Sequence, residues 1–160
     1  MNQKDNLKEK FKKALISTVK VISDDYKTEE LNKINLSSKN YNFFEIDNLE
    51  SNDDYLKLRA ETDSEALKRK FSNNLIYTKN LPKNNSRKNL YDIAEKIRYE
   101  QLGSKMLKGI EKNIVENYSK KIQLKRKDQL KSKSDVTVSE AFELYMLKKF
   151  FNIKLNKLSQ

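Results

Sequence analysis

Apolar residues recur at helical spacing from the start of the chain. Leu7, Phe11, Leu15, Val19 and Ile22 fall on one face, with Lys and Glu on the others, so residues 5–23 are predicted to form an amphipathic helix. The pattern stops at 24–40, a polar, Asn/Ser-rich stretch that reads as a loop. Residues 41–46, YNFFEI, carry aromatics and isoleucine, which favour a short strand. A lone strand needs a pairing partner, and 31–36 is the nearest candidate.

A second helical region covers 52–77. Ser51 can cap its start, and Asp53 and Asp54 lie near the positive end of the helix dipole. Thr62 with Glu65 spells a capping box, so a new helix could begin there instead. Leu81–Pro82 ends the region, and LPKNNSRKN reads as a loop.

The third region, about 89–118, is predicted to hold the longest helix. Leu90, Ile93, Ala94 and Ile97 form one apolar stripe; Met106, Leu107, Ile110, Ile114 and Tyr118 form another. At ~100° per residue the second stripe is rotated by roughly 120° from the first. Gly103 sits at the change, so the axis or the packing partner is predicted to change there. Residues 119–135 are Lys-rich and weakly patterned, and read as a linker or a frayed helix. Thr137 with Glu140 forms another capping box, and Ala141, Phe142, Tyr145, Leu147, Phe150 and Phe151 mark a last helix over 138–151. The pattern predicts one domain over 1–160: all-α or nearly so, a bundle of four to five helices with room for one short β-strand pair.

Composition narrows the chemistry. Two glycines and one proline in 160 residues are too few for the turns of an all-β fold. With no cysteine and no histidine, disulfides, thiolate or imidazole metal sites, and Ser–His or Cys–His nucleophilic catalysis are excluded for these residues. No phosphate-cradling glycine loop occurs. Asp24–Asp25 and Asp53–Asp54 lack calcium-loop spacing. The charged N-terminus is unlike a signal peptide, and no apolar run approaches the ~20 residues of a membrane helix. A cytoplasmic protein with no membrane partner is expected.

The net charge is +11. It raises an alternative function, a basic helical nucleic-acid-binding protein. The charge is nearly all lysine, spread over every segment; the arginines are Arg59, Arg69, Arg87, Arg98 and Arg126. Nucleic-acid modules interleave arginine and aromatics on one face, so the charge reads first as a solvated surface, of the kind an A+T-rich genome produces.

Several charged residues stand at helical pair spacing. Arg59 and Asp63 are i, i+4, and Glu95 and Arg98 are i, i+3. Both pairs read as helix-surface ion pairs, and secondly as residues that orient a subunit interface. Glu100 lies seven residues after Ile93 and projects toward the apolar stripe, where a carboxylate needs a partner. Arg59 or Arg69 is the expected one, with backbone donors at a helix start as the alternative. Glu95 is expected to point outward.

Two stretches resemble the CobT-type subunit of aerobic cobaltochelatase. The first is Arg59-Ala-Glu-Thr-Asp63-Ser-Glu-Ala-Leu-Lys-Arg69, leading on to Leu75 and Pro82. The second runs Glu95-Lys-Ile-Arg98-Tyr-Glu100-Gln-Leu-Gly103, then Gly109 six residues on and Asn113 four after that. The resemblance implies a subunit of an ATP-dependent nitrogen–metal ligase that inserts cobalt into a corrin precursor of cobalamin. ATP, magnesium and cobalt would be used by the whole complex, with no cofactor in this chain. The implied partners are a ring-forming ATPase subunit, a large corrin-binding subunit, and a second copy of the chain. The family's C-terminal adhesion-type module is signalled by Asp-x-Ser-x-Ser, a motif not found here, so these residues are expected to be the N-terminal portion or a short relative. Phe71 and Asn74 stand in a region where the family has histidines, and Ala60 where it usually has glycine. The resemblance implies an assembly role, with Arg59, Asp63, Glu95, Arg98, Glu100, Gly103, Gly109 and Asn113 as structural or interface residues and none of them catalytic.

Overall fold

The structure is a computed structural model and describes residues 3–23, 49–128 and 136–155. Among these residues there are six helices and no strand. They are α1 (Gln3–Ser23), α2 (Asn52–Phe71), α3 (Asn74–Asn80), α4 (Asn85–Met106), α5 (Lys108–Asp128) and α6 (Val138–Phe151). The all-α expectation holds, with six helices in place of four or five. The proposed strand at 41–46 and its partner at 31–36 lie outside the described residues. By its contacts the chain groups into two compact units, Met1–Lys70 and Phe71–Gln160.

In the first unit, Leu15, Val19 and Ile22 of α1 are buried, as their spacing requires, while Leu7 near the helix start is exposed. Leu15 packs with Leu49 and Leu58, and Phe11, Ile16 and Tyr55 close around them. The rings of Phe11 and Tyr55 meet edge to face, 5.1 Å between centroids. Burying an aliphatic or aromatic side chain of this size contributes ~1.5–3 kcal/mol, so this cluster holds α1 to α2. Ser51 caps α2 as expected: Asp54 N donates to Ser51 Oγ at 3.2 Å, and Ser51 N returns a bond to Asp54 Oδ2 at 2.9 Å. The Thr62–Glu65 box does not start a helix. Helix α2 runs through it, and Thr62 Oγ1 instead donates to the Leu58 carbonyl one turn back, at 2.8 Å.

Asparagines open two of the helices, α3 and α4. After α2 ends at Phe71, Asn73 accepts from the backbone N–H groups of Leu75 and Ile76 and opens α3. Asn84 accepts from Ser86 N and Arg87 N and opens α4. Part of the expected loop 81–89 is therefore the first turn of the longest helix, α4, which has 22 residues. Asparagine favours both turns and N-caps, so an Asn-rich stretch does not distinguish them by composition.

In the second unit, α4 packs against both α5 and α6. The rotation of the apolar stripe is real, and its cause is a helix break at Leu107. Leu107 leaves helical geometry at φ −131°, ψ 94°, and its N–H closes onto the Gly103 carbonyl at 2.9 Å. Its own carbonyl then accepts from Ile110 N and Glu111 N and starts α5. Gly103 is buried in the last turn of α4, four residues before the break. Met106 and Leu107 are exposed at this corner, and the buried stripe of α5 is Ile110, Ile114, Tyr118 and Ile122. Ile122 carries that stripe one turn beyond the predicted helix end. Of the two readings of the Lys-rich segment, the helical one holds through Asp128; residues 129–135 lie outside the described residues. Helix α6 matches its predicted bounds, with Glu140 N donating to Thr137 Oγ1 at 3.2 Å.

Candidate functional site

The family-like residues of the second unit sit mainly on α4, and the structure gathers them into two clusters. The first surrounds Glu95. Arg98 grips this carboxylate with two donors, Nε to Oε2 and Nη2 to Oε1, each at 2.7 Å. The Arg98 Nη2 also donates to the Phe71 carbonyl at 2.8 Å, and Ser72 Oγ donates to Glu95 at 2.9 Å. A two-pronged guanidinium–carboxylate contact is both stronger and more directional than a single ion pair. The Arg98 bonds hold the Glu95 carboxyl below its usual range, against an opposing push from burial, and Glu95 in turn raises Arg98. Glu95 does not point outward as expected; it ties α4 to the chain leaving α2.

The second cluster surrounds Glu100. Its residue exposure is 1%, so the expected removal from water holds. Tyr118 of α5, itself buried, donates its hydroxyl to Glu100 Oε2 at 2.7 Å. Lys96, one turn earlier on α4, brings Nζ to 3.9 Å from Oε1 and lies 5.5 Å over the Tyr118 ring. Burial pushes the Tyr118 hydroxyl well above its usual range, and the nearby Glu100 charge pushes it further. The Tyr118 ring also stacks at a tilt on Phe151 of α6, 6.2 Å between centroids. One buried polar contact thus sits where α4, α5 and α6 meet.

The remaining candidates are more dispersed. Arg59 and Asp63 lie in the first unit on α2, with Nε 3.4 Å from Oδ1, without hydrogen-bond geometry; Asp63 is buried. Arg69 on the same helix reaches Glu65 at 3.3 Å. Gly109 is exposed in the first turn of α5, and a Cβ placed there would meet nothing within 4 Å, so no close approach demands glycine. Asn113 is half-buried on α5. Among the described residues no three acids converge as metal ligands, and no helix is long and apolar enough to cross a membrane.

Sequence reasoning missed Tyr118 as the partner of Glu100, and the pairing of Tyr77 with Asp92. A signal existed for the first. Tyr118 lies on the buried stripe of Ile110 and Ile114, and a buried tyrosine hydroxyl needs a hydrogen-bond partner. Glu100 is an acceptor on the neighbouring helix with the same need.

Compared with known proteins, residues 5–155 match the model of a family described as cobalamin biosynthesis protein CobT. Searches of the curated proteins and of the solved structures each gave no match.

Proposed function

Because the chain belongs to the CobT family of cobalamin biosynthesis proteins, we propose that it is a non-catalytic assembly region of a cobaltochelatase subunit, working in the cytoplasm. It docks to a ring-forming ATPase subunit, to the large corrin-binding subunit and to further copies of itself. In that role it supports ATP-driven insertion of cobalt into a corrin precursor, with cobalt as substrate of the whole complex.

The family match over residues 5–155 carries this reading. The arrangement of charged residues supports it. The Glu95 carboxylate engages Arg98 and Ser72, and the Glu100 carboxylate receives the Tyr118 hydroxyl. Groups committed in this way brace a scaffold, and a general acid or base needs a second group aimed at a substrate.

The test is reconstitution. The purified chain is mixed with the ATPase subunit and with the large subunit of the same source, and the mixtures are resolved by size-exclusion chromatography with light scattering. Co-elution with at least one of them is expected. Separate elution at micromolar concentration, with and without ATP and magnesium, would refute the docking role.

A further inference from the structure

Helix α3 has no buried residue. Its two large apolar side chains, Leu75 and Ile76, are 82% and 60% exposed. A seven-residue helix is too short to be stable on its own, since isolated helices below ~12–15 residues are marginal. Polar contacts hold it instead. Asn73 caps its start at 3.0 and 3.2 Å, and Asn80 Nδ2 donates to the Ile76 carbonyl at 2.9 Å. Tyr77 donates its hydroxyl to Asp92 of α4, and its ring lies 5.4 Å from that of Tyr91. The element is fixed on one side and offers its apolar residues to water on the other. Interface anchors have this form, because a backbone already held in position loses little freedom on binding.

The stretch of chain around α3 carries one sign of charge. No acid occurs from Ser72 to Tyr91, while Lys79, Lys83, Arg87 and Lys88 are all exposed. Lys79 follows Leu75 and Ile76 at i+4 and i+3, on the same helix face. The next acids along α4 are engaged, Asp92 by Tyr77 and Glu95 by Arg98. We infer that α3 is a docking knob for a protein partner that presents an apolar cleft rimmed by Asp and Glu. This deepens the docking reading above and rests on it. A second copy would bring the same basic residues against each other in a two-fold pairing. Nucleic acid would meet the lysines, but leucine and isoleucine offer bases no stacking surface.

Two variants test the assignment, Leu75→Ser/Ile76→Ser and Lys79→Glu/Lys83→Glu/Arg87→Glu, with the ATPase subunit and the large subunit as separate probes in calorimetry. Unchanged circular dichroism confirms folding, which the exposure of all five side chains favours. The serine variant is expected to weaken binding to one subunit at least about tenfold. The glutamate variant is expected to weaken the same complex and flatten its salt dependence. Wild-type affinity in both variants would remove α3 from the interface while leaving the docking reading intact. A wild-type chain that binds neither subunit would overturn the docking reading itself. A homodimer that the serine variant dissolves would assign the surface to a second copy, and DNA binding lost only in the glutamate variant would assign the charge to nucleic acid; either result contradicts the inference.

Discussion

Tyr118 of α5 places its hydroxyl 2.7 Å from the Glu100 carboxylate of α4, with both residues almost wholly removed from water. The bond works in both directions. It satisfies a hydroxyl that burial would otherwise leave without a partner, and it gives a buried carboxylate a donor from the helix it packs against.

Tyr118→Phe should therefore destabilise the fold by ~1–3 kcal/mol, the usual cost of leaving a buried acceptor short of a donor. Glu100→Ala should cost more than Glu95→Ala, because Glu95 is nearer solvent, although its bonds to Arg98 and Ser72 make its own loss measurable. Urea melts of the three variants check the order. Equal, small effects from Glu100→Ala and Glu95→Ala would contradict it.

The two glycines should behave oppositely. Gly103 is buried in α4, so Gly103→Val should destabilise by crowding its surroundings, at ~1–3 kcal/mol. Gly109 faces open space in α5, so Gly109→Ala should be neutral or stabilising by up to ~1 kcal/mol. Thermal melts decide, and a loss from Gly109→Ala would show that its backbone is used in some other way.

The same physics explains what could be read in advance and what could not. The stripe of α1 was legible because Leu15, Val19 and Ile22 fall on its one buried face; of the residues that marked α6, Leu147 and Phe151 are buried while Tyr145 and Phe150 are exposed. The Thr137 box located α6 to the residue because hydroxyl and N–H meet within one turn. Thr62–Glu65 has the same spelling, yet Thr62 returns its hydroxyl to Leu58, and its neighbours Ala60, Asp63, Ala66 and Leu67 are buried in a continuing helix. A capping motif therefore has no force where packing favours continuation. The stripe rotation near Gly103 was visible, but the break fell at Leu107, since a rotation marks a change of partner without fixing the residue that turns. At the site, the burial of Glu100 followed from its register alone. Its tyrosine partner depended on how α5 folds back on α4, which local spacing does not encode.

The asparagine caps should carry measurable weight. Asn84→Ala and Asn73→Ala each remove an acceptor from two backbone N–H groups, at ~0.5–2 kcal/mol. Asn73→Ala should act locally, raising amide exchange across Asn74–Asn80 more than in α4. Uniform exchange across both helices would contradict local capping.

Two groups should shape the pH dependence from opposite ends. The hydrogen bond to Asp92 pushes the Tyr77 hydroxyl up to about 12, from an ordinary 10.0. A raised value stabilises the protonated form, so this contribution is full below pH 10 and lost as pH rises through about 12. Tyrosinate absorbance should show a late step that Tyr77→Phe reduces. Glu95 is held below its ordinary 4.5 chiefly by Arg98, so its contribution is present above that value and lost as pH falls through the lowered one. Glu95→Gln should flatten the acid limb of a stability–pH curve; an unchanged limb would mean that the Arg98 contact does not persist in solution.

The most direct measurement of the central claim is the mass, by light scattering, of the species formed when the chain is mixed with the cobaltochelatase ATPase subunit. The account predicts a complex heavier than the ATPase assembly alone, formed at micromolar concentration and weakened by Leu75→Ser/Ile76→Ser. Unchanged masses for that mixture, and likewise for a mixture with the large corrin-binding subunit, would contradict it.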